Sequence, residues 1–152
     1  MCFSKLKQTV KSIFKSGGAT GEIPSPRVAI DRNDIILGTD IILKGVTAQK
    51  IDVLNTNSME PALDAGHTIF ISNAPKYMST DVIKPGDVII YKSWTGTGNI
   101  IHAVVEVGTD AQGWYCRTQG WHLNQIDPQI IREYELVAVA LGIIWTGPED
   151  MP

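Results

Sequence analysis

A mainly β fold, either a folded antiparallel sheet or a small barrel, is predicted by two observations. From Val28 onward, short runs rich in Ile and Val recur at strand length, and Gly, Pro, Asn and Asp cluster between them. No internal repeat and no second long helical pattern interrupts this rhythm. The 152 residues suit one domain. With 43% hydrophobic and 19% charged residues, the chain can build a core and is not disordered by composition.

The expected strands, in order, are Asp34–Leu37, Ile41–Leu43, Ile51–Leu54, Thr68–Ser72, Asp87–Lys92, Ile100–Val107, Trp114–Thr118 and Leu136–Ile144. The turn clusters are Asp64-Ala65-Gly66, Lys84-Pro85-Gly86-Asp87, Thr95 to Asn99 and Asp110 to Gly113. Thr95-Gly96-Thr97-Gly98 reads as a hairpin tip. This β domain covers residues 28–152.

Residues 1–27 are different in kind. The first 16 residues carry four lysines (Lys5, Lys7, Lys11, Lys15) and no acid, with Phe3, Leu6, Val10, Ile13 and Phe14 at near-helical spacing. Gly17-Gly18 ends that basic amphipathic helix, and a Gly/Pro/Ser-rich arm follows to residue 27. Such a helix lies on an anionic membrane surface, docks on a protein assembly partner, or packs on its own domain. No apolar run reaches the roughly 18 residues of a membrane span. A soluble chain, cytoplasmic or virion-associated, or peripheral at a membrane, is expected.

The formal net charge of −3 argues against nucleic acid as a partner. Cys2 and Cys116 form no CxxC pair, so neither a disulfide framework nor a zinc site is expected. His67, His102 and His122 lack metal-ligand spacing, and Gly96-Thr97-Gly98 lacks the lysine and helix of a phosphate loop. The sequence therefore asks for no metal and no cofactor.

A serine becomes a nucleophile only with a base to take its proton and donors to stabilise an oxyanion. Three segments carry such parts: Ser58-Met59-Glu60-Pro61, then Ile100 to Glu106 with His102 at its centre, then Gln119 to Pro128 with Asp127. At these residues the chain resembles the signal peptidase family and the related peptidase domain of self-cleaving phage-type repressors. Four blocks match in order over about residues 50–144: Ser58-Met59 with Pro61, the strand Leu63 to Ile71, Lys84-Pro85-Gly86-Asp87-Val88-Ile89-Ile90-Tyr91, and Ile100 to Val107.

The resemblance implies a signal peptidase-like folded sheet and a serine endopeptidase acting on an extended peptide or protein substrate. Ser58 is the implied nucleophile. Bacterial signal peptidases and the repressors use a lysine base, whereas the endoplasmic-reticulum and archaeal type has a histidine there, and this chain has His102. An imidazole titrates near neutral pH and suits the work of a general base. Lys92 is the other candidate base, but the end of a strand beside a Gly-rich tip leaves it solvated. Thr56 keeps the hydroxyl that, in the family, helps the serine backbone N–H of Ser58 bind the oxyanion; an ordinary strand threonine is the other reading.

The chain departs from the family at three places. Gly66-His67 replaces Gly-Asp, His102-Ala103 replaces His-Arg, and Gln119-Gly120-Trp121-His122-Leu123-Asn124 replaces Lys-Gly-Asp-x-Asn. Asp127 matches a second acidic position and is the candidate that orients His102; a turn residue before Pro128 is the alternative. His122 is either a nearby substitute or an exposed loop histidine. The alternative function is a catalytically inactive protein of the same fold serving as a structural or interaction component, for example of a virion. A self-cleaving repressor is disfavoured, since no helix-turn-helix precedes the peptidase region.

Overall fold

The computed structural model describes residues 24–146. The expected basic helix and the first part of the arm lie outside the described residues. Nine strands form: β1 Ile35–Leu37, β2 Ile41–Leu43, β3 Gln49–Asp52, β4 Thr68–Ser72, β5 Val88–Lys92, β6 Asn99–Asp110, β7 Gly113–Gln119, β8 Ile131–Arg132 and β9 Leu136–Ile144. A four-residue helix, α1, spans Pro75–Met78, and single 3-10 turns lie at Arg32–Asp34 and Glu133–Glu135.

β1 and β2 pair as a separate hairpin. The other seven strands make one antiparallel sheet in the order β3-β4-β9-β5-β6-β7-β8. The sheet does not close, so the small-barrel form of the expectation is corrected: β3 and β8 end it on opposite sides. The C-terminal strand β9 sits between β4 and β5, which unites the early and late halves of the chain in one ladder.

Strand alternation divides the core into two clusters. Ile89, Tyr91, Val104, Cys116, Ile131 and Val139 belong to one. Met59, Leu63, Ile69, Val88, Ile90, Ala103, Ala138 and Ala140 belong to the other. On the central strands β5 and β9, neighbouring residues alternate between the two clusters, so these strands read as continuous apolar runs. His102 shares the period, and hence the face, of Val104.

Differences from the sequence reading have local causes. The third strand is Gln49–Asp52, not Ile51–Leu54. Its ladder stops where Asp52 faces Thr68, the first residue of β4, and beyond it Leu54 is 79% exposed. α1 and β8 are too short to show a period. Cys116 is fully buried, and that burial pushes its thiol up to about 12, so it is no nucleophile at neutral pH.

One buried acid ties the N-terminal arm to this sheet. Asp87 is inaccessible to solvent; its Oδ1 accepts from the backbone N–H of Arg27 at 2.6 Å and of Val28 at 2.9 Å, and its Oδ2 from that of Lys84 at 2.8 Å. The arm crosses so close over Gly86 that a methyl there would stand 2.6 Å from the Ser25 carbonyl oxygen. Asp87→Ala is expected to strand three N–H donors and to lower unfolding free energy by about 3 kcal/mol, at roughly 1 kcal/mol for each bond. Urea unfolding checks this, and a loss below about 0.5 kcal/mol would contradict it.

Candidate active site

Ser58 opens the run of turns that joins β3 to β4. Beside it, Met59 and Leu63 are 2% and 1% exposed, and the Leu63 N–H donates to the Met59 carbonyl at 3.0 Å. These two apolar anchors seat the turn on the core and leave Ser58 half-buried at the surface. Asn57 before it has φ +57°, a left-handed conformation that asparagine adopts more readily than most residues. Thr56 is exposed, and its Oγ1 lies 3.3 Å from Ser58 Oγ.

His102 lies in the β5–β6 ladder, opposite Ile89. Its Nδ1 is 2.6 Å from Asp127 Oδ2, with the two side chains 9% and 13% exposed. A carboxylate oxygen only accepts, so Nδ1 carries the proton and Nε2 of the neutral ring is left as the acceptor. The structure thus brings His102 and Asp127 together although 25 residues separate them.

Asp127 is held from three more directions. The Tyr91 hydroxyl donates to Oδ2 at 3.1 Å. The Thr118 hydroxyl donates to the same oxygen at 2.6 Å and stands 3.1 Å from the Tyr91 hydroxyl. The Asp127 backbone N–H donates to the Thr118 carbonyl at 2.8 Å, which folds the connection between β7 and β8 back along β7. Burial above all pushes the Tyr91 phenol above its ordinary range; the Thr118 hydrogen bond opposes it, and the neighbouring Asp127 charge adds to it. The phenol therefore remains a donor.

Gly120 joins the two halves of the site. A methyl added there would overlap the Ser58 carbonyl oxygen and stand 3.0 Å from His102 Nε2. The Ser58 turn and the imidazole thus meet on either side of one methyl-sized space, which only glycine leaves open. Among the described residues there is no hydrogen bond between Ser58 Oγ and His102. A cavity of about 330 Å³ adjoins Gly120, with Pro24, Ala103, Val105, Gln119 and Trp121 among its walls.

The other candidates fall elsewhere. Lys92 is exposed at the end of β5, opposite Asn99 and three residues along the ladder from the His102 pair. His67 caps its own turn, its Nδ1 accepting from the Asp64 N–H at 3.0 Å. His122 is exposed but reaches the Ser58 turn: its N–H donates to the Ser58 carbonyl at 3.0 Å and its ring contacts the Asn57 carbonyl at 3.1 Å. Among the described residues no group of three or more His, Cys, Asp or Glu side chains is placed to hold a metal. No family model, curated protein or solved structure matches the chain.

Sequence reasoning missed Tyr91, Thr118 and Gly120. Tyr91 carried a usable signal, since it ends the Lys84 to Tyr91 block two residues after Ile89, on the inward face. Tyr91→Phe is expected to remove one hydrogen bond from the Asp127 carboxylate and to cost about 1–2 kcal/mol of stability. Chemical denaturation reads it; a neutral or stabilising change would show that the phenol hydroxyl does not support Asp127.

Proposed function

We propose that the chain is a serine endopeptidase of signal-peptidase type, with Ser58 as nucleophile, His102 as general base and Asp127 as the acid that orients it. The observation that carries this reading is the 2.6 Å contact between His102 Nδ1 and Asp127, which leaves Nε2 free beside Gly120 and the Ser58 turn. Nε2 takes the Ser58 hydroxyl proton as Oγ attacks the scissile carbonyl carbon. The Ser58 N–H and the Thr56 hydroxyl stabilise the resulting oxyanion. Nε2 then returns the proton to the amine as the C–N bond breaks. Water, deprotonated by the same nitrogen, releases the acyl group and restores Ser58. The Oγ–Nε2 hydrogen bond must close around substrate, as catalytic bonds commonly do.

The substrate is an extended peptide. β3 has no strand partner on its outer side among the described residues and runs directly toward Ser58, so a peptide can add to that edge and reach the nucleophile. The family resemblance implies small residues before the cut. No helix among the described residues is long and apolar enough to cross a membrane. A virion, prophage or secretion component is the substrate class that fits a form working without a described span, and residues 1–16 are the proposed contact to a membrane surface or assembly partner.

The rival reading is an interaction protein that keeps this fold without the activity. It is favoured by one observation, the missing hydrogen bond between Ser58 Oγ and His102. A serine-directed acylating inhibitor separates the two. The wild type is expected to gain one adduct by intact mass and Ser58→Ala none. A wild type that acquires no adduct and cleaves no member of a peptide library would sink the enzyme reading.

A further inference from the structure

The His122 contacts bear on the one part of the mechanism that no side chain of the His102–Asp127 pair controls, the direction of the Ser58 backbone N–H. We infer that His122 is a positioning residue that sets the oxyanion donor by gripping the two peptide groups on either side of Ser58. The inference rests on the serine-peptidase reading.

The peptide joining Asn57 to Ser58 contains the Asn57 carbonyl and the Ser58 N–H. It is a trans unit, since the cis bond among the described residues is Glu60–Pro61. In a planar trans peptide the C=O and N–H point in opposite directions. Whatever holds the Asn57 carbonyl therefore aims the Ser58 N–H. The His122 ring does this at 3.1 Å through Nδ1. Its second neighbour, Glu60 Oε2 at 3.4 Å, is also an acceptor, so Nδ1 carries the proton and donates. A donor on the carbonyl also polarises the amide and strengthens its N–H as a donor.

The following peptide is held by the same residue. The Ser58 carbonyl accepts the His122 backbone N–H at 3.0 Å, and Gly120 allows the close approach. The Leu123 N–H donates to the Gly120 carbonyl at 3.0 Å, so the clamp is itself a closed turn. Without it, Asn57 in its left-handed conformation has other backbone states open to it, and a rotated 57–58 peptide would turn the N–H away from the oxyanion.

The test measures the reaction of Ser58 with a fluorophosphonate probe, followed by intact mass against time and probe concentration. Thermal melting of each variant is recorded alongside. His122→Ala is expected to slow the limiting rate of reaction by about tenfold or more while leaving the probe's half-saturation concentration within about twofold, because the donor acts on the phosphoryl oxygen as Oγ displaces fluoride from phosphorus and not on binding. His122→Asn places an amide N–H where Nδ1 stands and is expected to return the rate to within about threefold of wild type. His122→Gln carries its donor one bond farther and should stay slow; if the alanine variant fails to fold, the Asn and Gln variants still make the comparison. Equal rates for wild type and His122→Ala, or for the Asn and Gln variants, would overturn the inference and leave the peptidase reading standing. A wild type that never reacts would remove the peptidase reading, and this inference with it.

Discussion

Asp127 Oδ2 accepts hydrogen bonds from His102, Tyr91 and Thr118, side chains on three adjacent strands. A carboxylate taken out of water is costly unless its lone pairs are filled. No lysine or arginine does that here among the described residues; two neutral hydroxyls and an imidazole do. Charge-assisted bonds of this kind are stronger than neutral ones, and they fix geometry as well as contribute energy. They bind the connection between β7 and β8 to the sheet, and they set the ring orientation and tautomer of His102. The arrangement leaves one nitrogen, Nε2, with acceptor capacity.

The same connection also meets the turn that carries Ser58. From Gly120 to Asp127 it touches the Ser58 turn at one end, through Gly120 and His122, and the His102 ring at the other. Ser58 and His102 come from segments 44 positions apart that do not pair as strands. Their relative placement therefore depends on one loop that reads both. The loop is exposed over most of its length, from Trp121 to Ile126, so packing alone does not hold it. Its hydrogen bonds to Ser58, Asn57 and Thr118 do. At the other end of β5, Asp87 does comparable work for the N-terminal arm with three backbone donors.

Much of the sheet was legible because its central strands are buried on both faces. β9 occupies Leu136–Ile144 as its apolar run predicts, and β5 begins one residue later than expected. β3 was misplaced because Ile51, Val53 and Leu54 draw the strand toward residue 54, while the ladder is limited by its partner β4, which the local pattern does not report. The site was legible in part. Ser58, His102, Thr56 and Asp127 stand out as chemistry in short motifs, but which acid meets His102 depends on the backbone bond that folds residue 127 onto Thr118. Tyr91 and Thr118 look like ordinary strand residues, since their polar tips acquire a partner only across the sheet. His122 looks like a loop histidine because its partners, the Asn57 and Ser58 carbonyls and the Glu60 carboxylate, lie far back in the chain.

The tautomer of His102 tests the account most directly, because the roles proposed for His102 and Asp127 depend on Nδ1 carrying the proton. Nitrogen-15 NMR of the histidine rings distinguishes a protonated from a bare ring nitrogen. The wild type should show Nδ1 protonated and Nε2 bare, and Asp127→Asn should abolish that preference. A His102 ring protonated at Nε2 in the wild type, with Asp127→Asn unchanged, would contradict it.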